Sequence, residues 1–257
     1  MEIGFKNLRI PVLLLCLIEF KILTVKKPCR IFGRMEFDLK YKCLVLDHDD
    51  TVVDSTAEIH FPSFIEYLKI TRPHLVSKWD LETYFIKNFH PGITSILRDE
   101  LGMDEAEMNE EMDFWANYVE GHIPTAYEGI AEIIAEFRKR GGIIAVDSHS
   151  FERYIIRDYR HNSLPTPDVI YAWDLPEEQR KPSPYTLFDL MSRYGVSPNE
   201  VLVVDDLKPG YDMARGAGCD FAAAGWAYDV PEIRDFMKKN CDYYLEKVSD
   251  LSRILFE

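Results

Sequence analysis

Three short apolar runs, Leu44-Val45-Leu46, Ile143-Ile144-Ala145-Val146 and Val201-Leu202-Val203-Val204, each stop at an aspartate. Runs this short and this uniformly apolar suit strands buried on both faces. Between and after them the apolar residues fall at helical spacing. Ile130, Ile133, Ile134 and Phe137 mark a helix that ends at Gly141, and Leu187, Leu190, Met191 and Tyr194 mark another. Strands alternating with amphipathic helices predict an α/β fold with a doubly wound, mainly parallel, Rossmann-like sheet. The carboxyl ends of such strands border the ligand crevice. Asp47 is expected there, with Asp49 beside it after one tight turn.

From about Thr56 to Pro124 no strand pattern is evident, while Phe61, Phe64, Ile65 and Leu68, and later Phe114, Tyr118 and Val119, recur at helical spacing. The chain therefore divides into an α/β core, residues 35–55 and 125–257, and a small helical insertion, residues 56–124. A chain of 257 residues is long enough for both.

Charge narrows the partners. The net charge is −14, which argues against nucleic acid or an anionic membrane, so an anionic substrate must be drawn in by local charge. The acidic stretch Asp104-Glu105-Ala106-Glu107-Met108-Asn109-Glu110-Glu111 is expected as a solvated helix face. Five cysteines, an odd count without paired spacing, offer no disulfide framework or zinc pattern and point to a reducing, cytoplasmic setting. Residues 1–34 differ, with seven Lys or Arg against two Glu around the apolar run from Ile10 to Ile18. Glu19 follows that run at once, no small-residue cleavage site appears, and the run is short for a membrane span. Met35 is expected as the natural start, with the leader an extension that has no role in catalysis.

Four motifs follow one another in order. They are Asp47-His48-Asp49-Asp50-Thr51; Asp147-Ser148-His149-Ser150 after the second apolar run; Arg180-Lys181-Pro182-Ser183-Pro184 at a helix start; and Asp205-Asp206, followed by Gly210 and Ala214-Arg215-Gly216-Ala217-Gly218. Together they resemble the signatures of the haloacid dehalogenase-like hydrolase superfamily, in the branch of phosphoglycolate phosphatase and β-phosphoglucomutase. The resemblance covers essentially all of residues 37–257, and it likens residues 56–124 to the helical cap many relatives insert after the nucleophile strand.

The resemblance implies a magnesium-dependent phosphatase acting on a small phosphate monoester through an aspartyl-phosphate. Phosphoryl transfer needs an in-line oxygen nucleophile, compensation of charge on the phosphoryl oxygens, and a proton for the leaving group. Asp47 is implied as the nucleophile and Asp49 as general acid and then base. Members that remove halide lack an acid at the second position, so Asp49 argues for phosphate. Ser148 and Lys181 are implied to bind phosphoryl oxygens. A carboxylate oxygen of Asp47, the backbone carbonyl of Asp49 and the carboxylate of Asp206 are implied as Mg2+ ligands, with Asp205 supporting them. Relatives often carry an acid where this chain has Gly210. Thr51 is expected to cap the turn after the nucleophile. Asp147 either ends its strand or lies one residue inside a longer one, and His48 and His149 are expected as plain loop residues.

Two other readings differ in class. Asp54-Ser55-Thr56-Ala57-Glu58-Ile59-His60-Phe61 resembles the hinge of the β-phosphoglucomutase branch, which would make the protein a phosphosugar mutase, but the segment is one residue longer. That extra residue argues that His60 is only a histidine of the helical insertion. A non-catalytic phosphate-binding or signalling module is the second; receiver domains, however, place their acidic pair before the phosphorylated Asp, the reverse of the order here.

Overall fold

The computed structural model describes residues 39–257; the leader expected over residues 1–34 and the start at Met35 lie outside them. Strands β1 (Cys43–Leu46), β4 (Ile143–Asp147), β5 (Val169–Tyr171), β6 (Val201–Asp205), β7 (Asp220–Ala224) and β8 (Tyr243–Leu245) form one six-stranded sheet in the order β5-β4-β1-β6-β7-β8, with every pairing parallel. This is the doubly wound α/β fold expected from the apolar runs.

Side chains alternate across a strand, and here both faces are covered. Leu44, Leu46, Ile144, Val146, Leu202 and Val204 pack on one side with residues of α5 (Ile130–Lys139), α6 (Glu152–His161) and α10 (Val248–Phe256). Val45, Ala145, Val203 and Phe221 pack on the other with α7 (Tyr185–Tyr194), α8 (Lys208–Ala217) and α9 (Pro231–Asn240). Burial on two faces is why these strands read as unbroken apolar runs.

A separate antiparallel pair, β2 (Val53–Asp54) with β3 (Thr125–Ala126), joins the points where the chain leaves the sheet layer and returns. Everything regular between them is helical: a π-helical turn at Thr56–His60, α1 (Phe61–Thr71), a 3-10 turn at Pro73–Lys78, α2 (Leu81–Phe89), the short α3 (Ile93–Ser95), a second π-helical turn at Ile96–Glu100, and α4 (Glu105–Glu120). Phe64, Leu68, Tyr84, Ile96, Leu97 and Met103 give this layer a core of its own. It is also tied to the sheet layer: Phe85 of α2 stacks on Tyr228 at 3.9 Å between ring centres, and Phe89 meets Phe236 of α9 edge-on. No helix among the described residues is long and apolar enough to cross a membrane.

The acidic stretch before and within α4 is solvated at Asp104, Glu105, Ala106, Asn109 and Glu110, as expected, and half-buried at Glu107, Met108 and Glu111. Asp104 caps the helix in a reciprocal box with Glu107, and Glu107 also pairs with Arg72. Met108, Asn109 and Glu111 turn instead toward a cavity between the helical layer and the sheet. Met108 and Phe114 of the same helix pack on the core built with α1 and α2, partners distant in the chain that a local pattern of charge could not reveal.

Candidate active site

Pairing register assembles the site. Leu46 of β1 lies opposite Val146 of β4 on one side and Val204 of β6 on the other, so the residues that follow converge at the carboxyl edge of the sheet. That edge at β1 and β6 is where the strand order reverses, the place at which open α/β sheets bind ligands. Asp47 donates its N–H to the Val204 carbonyl at 2.9 Å and is buried. Lys181 reaches in from the loop before α7, with Nζ 2.9 Å from Asp47 Oδ1 and 2.6 Å from Asp205 Oδ2. Burial alone would lower the Lys181 pKa, but Asp205 and Asp47 outweigh it and hold the ammonium charged.

One carboxylate oxygen from each of Asp47, Asp205 and Asp206 lies within 4.8 Å of the others, and all three residues are buried. Asp205 is already engaged twice, with Oδ1 accepting from the Leu207 N–H at 2.8 Å and Oδ2 from Lys181. Its carboxylate also fills the space beside Gly210, where a Cβ would come within 2.2 Å of Asp205 Oδ2. This explains the missing acid at position 210: a side chain there and Asp205 exclude one another. Asp206 accepts from Thr51 Oγ1 at 3.5 Å and from the Tyr228 hydroxyl at 3.1 Å. Burial and the nearby Asp50, Asp205 and Asp47 push its pKa well above the carboxylate range. Buried carboxylates with only Lys181 between them are short of positive charge, and an all-oxygen donor set of this kind fits a hard divalent cation.

Thr51 does not cap the turn after Asp47. Asp50 does so: in the left-handed region with φ 55°, it accepts from the Ser55 and Thr56 N–H groups at 3.3 and 3.1 Å. The Asp50 carboxylate takes the backbone donors, while the fully buried Thr51 hydroxyl turns to Asp206.

Asp49 is held by three donors. Oδ1 accepts from Ser55 Oγ at 2.8 Å and His60 Nε2 at 2.9 Å, and Oδ2 from Ser150 Oγ at 2.6 Å. Burial would raise its pKa, but the hydrogen bonds it accepts, from His60 and Ser150 among them, hold the carboxyl below the usual range. His60 in turn accepts the Trp115 indole N–H on Nδ1 at 3.0 Å. Burial lowers the His60 pKa and Asp49 raises it further. An indole can only donate, however, so Nδ1 must keep a free lone pair; the imidazole carries one proton, on Nε2. The chain Trp115 to His60 to Asp49 thus runs from α4 to the site. This corrects the reading of His60 as a mere helix histidine. The extra residue before it is absorbed by the π-helical turn at Thr56–His60, which leaves His60 facing Asp49.

Strand β4 runs through Asp147, whose side chain is buried and accepts from Thr186, away from the cavity; burial raises its pKa to about 6. Ser148 is buried beyond the strand end, and its hydroxyl accepts from the Ser150 N–H at 3.0 Å. Of the two serines, Ser150 lines the cavity. Neither flanking histidine is a plain loop residue. His48 is buried and bonds Asp158 at 3.1 Å, and His149 Nε2 bonds the Lys181 carbonyl at 2.8 Å. Burial, then Lys181, lowers the His149 pKa to about 4, so its ring is neutral at pH 7. Ser150, Trp115 and Tyr228 were not legible as site residues. Only Ser150 had a sequence signal, as a second hydroxyl two residues after Ser148.

The model of the family described as haloacid dehalogenase-like hydrolase matches residues 44–224. A phosphoglycolate phosphatase of Mesorhizobium japonicum is 23% identical over 205 residues, 75% of this chain and 86% of the relative. The pyrophosphatase PpaX of Bacillus velezensis is 23% identical over 223 residues, 84% and 97% of the two chains. A haloacid dehalogenase-like hydrolase structure from Bacteroides fragilis superposes with a TM-score of 0.68 at 19% identity, covering 82% of this chain and all of its own, a likeness of fold.

Proposed function

The chain belongs to the haloacid dehalogenase-like hydrolase family, and on that premise we propose that it is a cytoplasmic phosphatase that hydrolyses a small phosphate monoester through an aspartyl-phosphate. The observation that carries the reading is the pairing of Asp47, buried at the switch point with Lys181 on it, and Asp49, two residues on and fixed by Ser55, His60 and Ser150. An Asp47 carboxylate oxygen attacks phosphorus in line with the ester oxygen. The P–O bond to the leaving group breaks as the acyl phosphate forms, and Asp49, which takes up a proton from solvent as the phosphate dianion enters beside it, gives that proton to the departing alkoxide. Asp49 then takes a proton from the water that attacks the acyl phosphate, which restores Asp47 and frees phosphate. Lys181 and Ser148 hold phosphoryl oxygens, with Ser150 orienting Asp49 at the cavity wall.

Asp47, Asp206 and the backbone carbonyl of Asp49 would hold Mg2+, and Asp205 would support them by fixing Lys181. A bound cation would offset the repulsion between these carboxylates and the phosphate. Residues 56–124 act as the cap, excluding water while the acyl phosphate forms. The mutase reading gains from the His60–Asp49 bond. It needs a second phosphate site, however, and the lysines and arginines lining the cavity are Lys181, already engaged by two carboxylates, and the exposed Arg98.

The test is phosphate release from a panel of esters with Mg2+ and after chelation. Turnover is expected to stop on chelation, to return with Mg2+, and to fall at least about 10³-fold in Asp47→Asn with the fold intact by circular dichroism. Near wild-type release by Asp47→Asn would sink the mechanism. Asp206→Ala is expected to weaken metal affinity more than Asp205→Ala; the reverse order would exchange their roles.

A further inference from the structure

The ester's leaving group must occupy the space beyond the phosphate, and here that space is a cavity of about 780 Å3 between the sheet edge and the helical layer. Volumes of this order suit drug-sized ligands, not a two-carbon acid. Its ceiling is one face of α4. Met108, Glu111, Met112 and Trp115 stand at i, i+3, i+4 and i+7, the spacing that puts four side chains on one side of a helix. Phe64 of α1 and Tyr84 of α2 also line it. The wall away from the catalytic carboxylates is therefore largely thioether and aromatic where α4 faces α1 and α2, with Glu111 the one half-buried carboxylate on that face.

Glu111 is half-buried and forms no hydrogen bond or ion pair with any described residue. Asp104 and Glu105 add negative charge at the start of α4, but Asp104 is spent on the helix cap and Glu105 is exposed. The opposing cations are Lys181, neutralised by Asp47 and Asp205, and Arg98, which is exposed. A leaving group with a carboxylate or a second phosphate would meet uncompensated acid in an apolar enclosure. An aromatic ring would find flat partners and sulfur, and an ammonium on it would find Glu111.

We propose that the enzyme acts on phosphate esters of aromatic alcohols whose side chain is neutral or positively charged, with the α4 face setting size and Glu111 setting the sign of charge. This specificity rests on the phosphatase reading and refines it. It also sets this chain apart from what its relatives' names describe, since glycolate and phosphate are small anions. Burial raises the Glu111 pKa to about 7. An approaching ammonium would draw the group to its ionised form, and an approaching carboxylate would oppose that ionisation.

Three esters with the same ring and nearly the same leaving-group acidity isolate charge: O-phosphotyramine, 4-ethylphenyl phosphate, and the phosphate ester of 3-(4-hydroxyphenyl)propanoate. Wild-type kcat/KM is expected to fall in that order, with about tenfold or more between first and last, and to lie about tenfold or more below the first for phosphoglycolate and pyrophosphate. Glu111→Gln is expected to compress the span between the charged esters to about threefold, and Glu111→Lys to invert it. Arg98→Gln is expected to keep the order. Preference for phosphoglycolate or the propanoate ester, or an undiminished span in Glu111→Gln, would overturn the inference. Loss of such a preference on Arg98→Gln would assign selection to Arg98 instead. p-Nitrophenyl phosphate separates the two levels. Turnover of it with the charge order reversed refutes only the specificity, whereas no phosphate from any ester refutes the phosphatase reading itself.

Discussion

At the scale of single residues, Asp49 is the best-specified group in the site, because three side-chain donors converge on it, two from the turn that Ser55 opens and one from the loop after β4. Two of them, Ser55 and Ser150, are neutral hydroxyls, and the third, His60, is oriented by the Trp115 indole. Trp115→Phe keeps the ring packing against Tyr154 and Phe151 but removes the N–H that fixes the imidazole. The ring then turns more freely, and kcat is expected to fall about three- to tenfold with KM little changed. His60→Gln can still donate to Asp49 and is expected to retain more activity than His60→Ala. Steady-state kinetics on all three variants check this. Equal losses for His60→Gln and His60→Ala would mean that His60 only fills space.

At the scale of elements, the π-helical turn at Thr56–His60 reconciles two demands on one helix. Phe64 and Leu68 of α1 are buried in the core of the helical layer and fix the helix's rotation, while Asp49 requires His60 at one place on its surface. One extra residue in a regular helix would rotate everything beyond it by roughly 100°. The wider turn takes it up locally. Ala57 is exposed, so its deletion should let the turn close to ordinary α-helix while the packing of α1 keeps His60 in place. We expect the Ala57 deletion to fold with an unchanged or higher melting temperature and to hold kcat within about threefold. A loss as large as that of His60→Ala would show that the extra residue itself positions the histidine.

For the whole molecule, the helical layer and the sheet share a cavity wall, so a charge on α4 bears on stability as well as specificity. The Glu111 pKa is raised by burial to about 7 in the folded chain, above the value of about 4.3 expected in an unfolded one. A group with a raised folded pKa favours the folded state fully below the unfolded pKa, and that contribution is lost as pH rises through the folded pKa. Wild type should therefore lose stability relative to Glu111→Gln between about pH 4.5 and 7.5. The upper limit is about 4 kcal/mol, and the change realised is smaller because water reaches the half-buried carboxylate. Melting temperatures of the two proteins across that range check it. A constant difference would mean that Glu111 is as well solvated folded as unfolded.

Among the contacts between the layers are aromatic pairs, and breaking one loosens the enclosure next to the site. Phe85→Ala removes the stack on Tyr228, whose hydroxyl donates to Asp206. It is expected to cost about 3–5 kcal/mol of stability by urea unfolding.

The sheet, the helices of the core and the four signature segments were legible because each is a local pattern. Apolar runs stop at Asp47, Asp147 and Asp205, and one-sided apolar spacing recurs at Ile130, Ile133, Ile134 and Phe137. A strand buried on both faces and a helix buried on one must carry those patterns wherever they stand. The relation of Asp205 to Gly210 could be seen as a departure, but its cause, one carboxylate occupying the other position's space, is a contact across the end of β6 and the start of α8. Partners distant in the chain were set by packing alone. Asp49 meets Ser150, 101 residues away, and His60 meets Trp115, 55 away. Thr51 turned to Asp206, not to the nearby backbone, because both are enclosed where β1 and β6 end. Sequence thus determined which groups could do the chemistry, since backbone periodicity and strand-end position are local. Tertiary structure decided which donor each carboxylate meets and what the cavity admits, since those depend on surfaces brought together only when the layers pack.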